Sequence, residues 1–245
     1  MLYQSSDLYD VLLPASPQQL SYYLSLAQLH PSAVLELACG TGQLTVPIAA
    51  TGVPTVGLDN APEMLAAARE RARAAGAAGE FVEGDMRNFD LGRRFSLIFI
   101  ARNSLLHLSE QEEFAGFFAA VRRHLAPEGI LAFDIFKPNF SRRSLGGAER
   151  QPVMQKSSPR FGDLTVEETS DYDTLSQVNR ATWYISTTQQ RDAWVVPLHL
   201  RWIFPQELLS LLAANGFRLQ SRHGDYSSSE FTRESNLQVC QCKPV

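Results

Sequence analysis

An α/β fold is what this chain of 245 residues predicts: a mostly parallel sheet with helices on both faces, carrying an antiparallel β insert after the fifth strand. Three observations carry that expectation. Apolar runs and helix-period segments alternate through residue 136, which implies right-handed crossovers and a parallel sheet. The apolar run 33–37 breaks into the small-residue turn 38–42, and a helix-period pattern follows. Beyond residue 136 the period becomes two, as in an antiparallel meander.

Each element has its own signal. Ser16, with Gln19 three residues on and Pro17 at the first helical position, opens a helix to about His30, with Leu20, Tyr23, Leu24 and Ala27 on one face. The first strand is 34–38, and its helix spans 42–50 with Pro47 disturbing the first turns. Residues 54–59 form the second strand and end on Asp59. Asn60 and Glu63 read as a capping box, with Pro62 in the first turn of a helix that runs to Gly76. Strands three, four and five are 80–84, 95–100 and 129–135. Between the last two, Ser109 and Glu112 read as the cap of a helix whose Phe114, Phe117, Phe118, Val121 and Leu125 recur at helical spacing, and which stops at Pro127.

Runs 164–172, 177–186 and 193–204 then alternate. In the last, Trp194, Val196, Leu198, Leu200 and Trp202 share one face, against Val195, His199 and Arg201 on the other. Pro205 starts a helix over 206–215, stopped by Gly216, and residues 217–222 and 237–242 pair as an antiparallel edge hairpin, bringing the main sheet to seven strands. The expected division is a core of residues 1–136 and 204–245, with 137–203 as an inserted antiparallel β subdomain, a substrate lid or an oligomer interface.

An apolar share of 44% with 20% charged residues is that of a globule able to bury a core. The net charge of −4 argues against a nucleic-acid surface as the main partner. The first residues have neither the basic nor the apolar region of a signal peptide, and no apolar run approaches the ~20 residues that span a bilayer. The expectation is a cytoplasmic monomer or homodimer with no membrane partner. Cys39, Cys240 and Cys242 lack zinc spacing and read as three free thiols, with no metal expected.

A strand that ends in a glycine turn and feeds a helix brings bare backbone N–H groups close to a nucleotide-type ligand. Two ligand classes compete for it. A dinucleotide fingerprint needs a third glycine where Thr45 stands, while Asp59 suits ribose hydroxyls in either class. Spacing alone leaves the choice open.

Further motifs follow at ordered intervals: Glu36-Leu37-Ala38-Cys39-Gly40-Thr41-Gly42, then Gly57-Leu58-Asp59-Asn60-Ala61-Pro62-Glu63-Met64-Leu65, Gly84-Asp85-Met86, Phe95-Ser96-Leu97-Ile98 and Pro127-Glu128-Gly129-Ile130-Leu131. Together they resemble class I S-adenosylmethionine-dependent methyltransferases over about residues 34–135, with a looser likeness around Tyr9 and from Phe204 onward. The resemblance implies a Rossmann-like sheet, S-adenosylmethionine as cofactor with S-adenosylhomocysteine as product, and a small-molecule methyl acceptor. It implies that Glu36, Gly40 and Gly42 face the methionine part of the cofactor, that Asp59 with Asn60 beside it takes the ribose, and that Met64 walls the adenine. Asp85 would accept the adenine amino group, with Met86 supplying backbone. Ala101 and Arg102 stand where a carbonyl holds the ammonium, and Tyr9 resembles an aromatic that folds over the cofactor. Ala38 departs from the pattern by replacing the first glycine of the turn.

Methyl transfer is an in-line displacement, and a base matters where the acceptor must lose a proton. His107, after the fourth strand, is a candidate base or a packed loop histidine. Asp134, an acid in an apolar strand, needs a partner: a substrate ammonium, Lys137 or a backbone cap. Tyr172, Tyr184, His199 and Arg201 are candidates to line a lid. The meander and the ending Gly224-Asp225-Tyr226 are similar to small-molecule N-methyltransferases, which implies an amine acceptor. The alternative is a non-catalytic S-adenosylmethionine-binding or interaction protein of the same fold.

Overall fold

The computed structural model describes residues 5–139 and 147–245, so residues 140–146 of the expected insert lie outside the described residues. The main sheet has seven strands in the order β10-β11-β5-β4-β1-β2-β3. These are β1 (Val34–Leu37), β2 (Thr55–Asp59), β3 (Glu80–Glu83), β4 (Phe95–Ile100), β5 (Leu125–Phe136), β10 (Phe217–His223) and β11 (Leu237–Pro244). Only β11 runs against its neighbours β5 and β10. The order reverses between β1 and β4, and a crevice opens there beyond the carboxyl ends of the strands.

Strand parity sends alternate residues to two separate cores. Leu35 and Leu37 of β1, Ile98 and Ile100 of β4, and Leu131, Phe133 and Ile135 of β5 pack against Phe114, Phe117, Phe118 and Val121 of helix α5 (Gln111–His124). Full burial of each such phenylalanine is worth about 1.5–3 kcal/mol. The opposite face, with Val34, Leu97, Phe99, Ile130 and Ala132, receives Tyr23, Leu26 and Ala27 of helix α2 (Pro17–Leu29). Ser16 caps α2 by accepting from the Gln19 N–H at 3.1 Å, but the Gln19 side chain turns inward instead of completing the box. The helix therefore buries Gln19, Tyr23, Leu26 and Ala27, while Leu20 and Leu24 are half-buried.

Several local signals misplace the caps. Helix α3 (Thr45–Ala50) begins three residues late, as a proline in its first turn allows. Helix α4 (Pro62–Ala75) has Ala61 at its N-cap with no side-chain bond from Asn60. It is Asp59 that accepts from the Ala61 N–H at 2.9 Å. Helix α5 is capped by Glu110 with Glu113, and the Glu113 carboxylate also accepts from the Ser109 N–H. Helix α6 (Pro205–Ala214) ends as expected at Asn215 and Gly216.

The insert is a second sheet of four antiparallel strands in sequence order: β6 (Gly147–Ser158), β7 (Gly162–Asp173), β8 (Val178–Thr187) and β9 (Trp194–Arg201). The first of these has no period-two signal, because Gln151, Lys156 and Ser157 interrupt it and bulges shift its register. Leu164, Val166, Trp183, Ile185 and Val196 on one face of this sheet pack with Leu8 and Leu12 of the N-terminal helix α1 (Ser6–Leu12). That helix is thereby wedged between the insert and the turn after β1.

The turn after β1 depends on a missing side chain. A Cβ at Gly57 of β2 would stand 2.7 Å from Cys39 Sγ and 3.1 Å from the Phe81 ring. Gly57→Ala is expected to cost about 1–3 kcal/mol by overpacking. The check is a lower urea midpoint at an unchanged slope, and an unchanged midpoint would show that the contact is slack.

Candidate active site

At the crevice the structure holds a cavity of about 560 Å³. Its floor is the turn after β1 and the ends of β2, β3 and β4, and its roof is the insert. In the turn, Ala38, Gly40 and Gly42 all have left-handed φ values of 54°, 54° and 73°. Ala38 thus adopts the conformation its position demands, at about 1–2 kcal/mol of backbone strain. A Cβ on Gly40 would project toward the Tyr9 ring 3.8 Å away, so the glycine keeps open a slot between turn and ring. Asp59 closes the turn from β2: Oδ2 accepts from the Gly40 N–H at 2.7 Å while Oδ1 accepts from Ala61 N–H. Burial pushes its carboxyl above the usual range, opposed by these backbone donors.

Helix α1 is tied to the same turn. The Asp10 carboxylate accepts from Thr41 Oγ1 at 2.6 Å and Gln43 Nε2 at 2.7 Å, and pairs with Arg71. Arg102 reaches the Leu13 carbonyl and lies over the Tyr9 ring, 5.2 Å from its centroid. Arg102 and Asn103 are consecutive left-handed residues (φ 61° and 64°), a costly pair for side chains with a Cβ. They are held by β5. Asp134 Oδ2 accepts from the Arg102 N–H at 2.8 Å, its backbone carbonyl accepts from Asn103 N–H, and Asn103 Oδ1 accepts from Phe136 N–H.

Comparison with known proteins places this arrangement. A family profile described as "Methyltransferase domain" matches residues 34–129. "Putative methyltransferase YqeM" of Bacillus subtilis is 31% identical over 241 residues, covering 96% of this chain and 94% of that protein. The chain belongs to the class I S-adenosylmethionine-dependent methyltransferases. The solved CcbJ methyltransferase from Streptomyces caelestis is similar at 27% identity and a TM-score of 0.82, covering 94% of this chain and 97% of that one. A Streptomyces fradiae dTDP-3-amino-3,6-dideoxy-alpha-D-glucopyranose N,N-dimethyltransferase is 34% identical over 112 residues, which are 45% of this chain and 42% of that protein.

The residues present suit the family's cofactor. This methyltransferase offers a slot bared by Gly40, a carboxylate at the end of β2 and a cavity that continues to β3. Of the residues expected at the cofactor, Tyr9, Ala38, Gly40, Asp59, Asn60, Asp85, Met86 and Arg102 line the cavity, and so does His107. Asp85 is engaged by Arg87, whose backbone N–H and guanidinium both donate to it, while the same guanidinium reaches Glu113 at 2.7 Å. The arginine holds the Asp85 carboxyl below its ordinary range. His107 sits on the short turn Ser104–His107, exposed to the cavity, and enclosure by its walls lowers its pKa.

Five expected residues do not line the cavity. Glu36 is buried and accepts from Thr45 Oγ1, and its parity in β1 puts it on the sheet face of Val34. A Cβ on Gly42 would meet Val46, Ala68 and Phe81, so that glycine serves helix packing. Met64 is buried, and Ala101 lies in the α2 core with its carbonyl accepting from Ser104 N–H. Asp134, expected as a catalytic acid, is likewise buried beneath the site. Parity turns it with Ala132 toward α2, where Oδ1 accepts from Tyr23 at 2.7 Å and from Gln19 Nε2 at 3.4 Å. It supports the Arg102 turn and does not reach the cavity.

The sequence reading missed Arg87 and Glu113, and on the roof Glu168, Asn179 and Trp183. Leu198, Leu200 and Trp202 line the roof with the parity expected of them. Tyr172, Tyr184, His199 and Arg201 do not line it. Arg201 instead ties Gln177 to Glu207, and Tyr184 stacks under Arg150.

Burial raises the Glu36 carboxyl from its ordinary 4.5 to about 8. Between those pH values the native state holds a proton that the unfolded chain has lost, so this residue's contribution is complete below about 4.5 and is lost as pH rises through about 8. Glu36→Gln should therefore gain stability relative to the parent as pH climbs across that window. Parallel denaturation profiles would refute the burial argument. Asp134→Ala strands the Tyr23 hydroxyl and the Arg102 N–H, at about 1–3 kcal/mol each. Thermal unfolding should show that loss, and a variant melting with the parent would mean the Arg102 turn does not lean on β5.

Proposed function

We propose that this methyltransferase acts on a small organic amine, with the residues that line the cavity divided between cofactor and acceptor. Gly40, Asp59, Asn60, Asp85 and Met86 hold S-adenosylmethionine, with Tyr9 and Arg102 closing over it from α1 and β4. When bound, that cofactor supplies a methyl group on a sulfonium, so the protein's task is alignment and exclusion of water. Asp59 suits the ribose because both its oxygens are fixed by backbone N–H groups while the carboxylate still has acceptor sites at the cavity wall.

His107 is the acceptor-side base. It lines the cavity on the turn after β4, and enclosure, which lowers its pKa, favours the neutral imidazole that can accept a proton while weakening it as a base. The insert, through strands β7 to β9, is the roof of the acceptor end, and α1 is the strap that keeps water out. The single observation carrying this reading is the continuity of one cavity from the glycine turn to the insert. An amine acceptor is supported by the amino-sugar N,N-dimethyltransferase likeness.

Calorimetry with S-adenosylhomocysteine, followed by homocysteine release on a panel of amines, amino sugars and hydroxylated metabolites, tests the reading. Turnover confined to amines is expected, and turnover confined to alcohols would sink the acceptor class. Asp59→Ala should weaken S-adenosylhomocysteine by about 1.5–3 kcal/mol, the scale of hydrogen bonds to a charged group. Unchanged affinity would remove Asp59 from the ribose role.

A further inference from the structure

The connection from β3 to β4 is docked along helix α5. Towards β4, Arg123 donates to the Phe89 carbonyl at 2.7 Å and His124 Nε2 accepts from the Leu91 N–H at 2.9 Å. Towards β3 the docking passes through Arg87 twice. A Cβ at Gly116 of α5 would stand 2.7 Å from the Arg87 carbonyl oxygen, so the helix gives up a side chain there to let that backbone in. Glycine inside a helix costs about 1 kcal/mol against alanine, and this close approach is the physical reason for it. The Arg87 guanidinium meanwhile donates to Glu113 Oε1 at 2.7 Å. Glu113 Oε2 is fixed in turn by the Ser109 and Glu110 N–H groups at 2.8 and 3.2 Å.

The other side of the same guanidinium faces Asp85. Its Nε lies 3.0 and 2.9 Å from the two carboxylate oxygens, and Nη2 donates to Oδ2 at 2.5 Å. The Arg87 backbone N–H donates to Oδ1 at 2.9 Å. A single exposed ion pair orders little, but this guanidinium is held by two carboxylates, one of them built into a helix cap. Hydrogen bonding to Arg87 holds the Asp85 carboxyl below its ordinary range, and an ionised carboxylate accepts hydrogen bonds and cannot donate them. It has about four acceptor sites, so the backbone N–H and the two guanidinium donors leave room for one more at the cavity wall.

We propose that Arg87 is a positioning residue for cofactor selection: it fixes Asp85 as an acceptor, so that the site takes a purine with an amino group at C6 and turns away one with a carbonyl there. This rests on the reading that places the adenine at Asp85. A 6-oxo ring sets an oxygen against a carboxylate that can neither swing aside nor offer a proton. Without Arg87 the carboxylate regains both freedoms, and the discrimination falls while the fold stays.

The experiment measures, by calorimetry, the affinities of S-adenosylhomocysteine and S-inosylhomocysteine, which differ only at C6 and N1 of the purine. The parent is expected to prefer the adenosyl ligand by about 10-fold or more. Arg87→Met should shrink that ratio by about 3-fold or more. Arg87→Lys, which keeps the charge but not the planar fork, should fall between the two, and it carries the comparison should the methionine variant not fold. Arg93→Met, which removes an arginine paired with Glu80 at 2.5 Å away from the cavity lining, should keep the parent ratio. The ratio is decisive because general loosening weakens both ligands alike. An undiminished ratio in both Arg87 variants, or an equal fall in Arg93→Met, overturns the inference and leaves the adenine at Asp85. A parent without any preference overturns the inference together with the role of Asp85. Failure of the parent to bind S-adenosylhomocysteine overturns the cofactor reading itself.

Discussion

The Asp59 carboxylate joins two strands at the point where the sheet opens, and the geometry of the cofactor end depends on that join. One oxygen takes the N–H of Gly40 from the turn after β1, and the other takes the N–H of Ala61 at the start of α4. A turn with three left-handed residues in five has little local reason to hold one shape. It holds here because a buried carboxylate has few other donors and satisfying it stabilises the folded state. Gly57 permits the arrangement by leaving room for Cys39 between β1 and β2. The strained backbone, the cap of α4 and the exposed slot beside Tyr9 are parts of one solution.

A second carboxylate does for the other wall what Asp59 does for the first. Asp134 lies under the crevice and fixes the left-handed pair Arg102-Asn103 from below, while Tyr23 and Gln19 of α2 fix Asp134 in turn. Arg102 then reaches across to α1, whose Asp10 is bound to the glycine turn. The two walls are thus connected through α1, which also packs on the insert through Leu8 and Leu12. A helix of seven residues would be marginal alone, and here tertiary contacts on three sides order it. One short element thus contacts the glycine turn, the turn after β4 and the insert.

The division of labour between floor and roof follows from the chemistry each can offer. The floor, where parallel strands end, offers backbone N–H groups and carboxylates. The antiparallel insert presents alternate side chains on a flat face, where individual residues can be exchanged without disturbing its ladder. Glu168 and Asn179 are polar positions on that face amid apolar ones.

The amino-acid sequence by itself determined the strand–helix alternation, the seven-stranded sheet, the meander and the glycine turn with Asp59 and Asp85 placed after the next two strands, because these rest on local periodicity, turn chemistry and ordered motifs. It determined the inner face of β9 as well, since alternation there is uninterrupted. Only the tertiary structure decided which way Glu36 and Asp134 point. Strands buried on both faces are apolar at every other position too, so parity leaves no mark in their sequence. Glu36 and Asp134 are buried and bonded within the core, Glu36 to Thr45 and Asp134 to Tyr23 and Arg102, while Glu168, one of two adjacent acids in β7, became a lining residue when the pairing with β8 chose its face. The helix caps differ from the sequence expectation for a related reason. Asn60 and Ser109 have the right chemistry for a cap, but Asp59 and Glu113 are held closer to the free N–H groups by contacts distant in sequence.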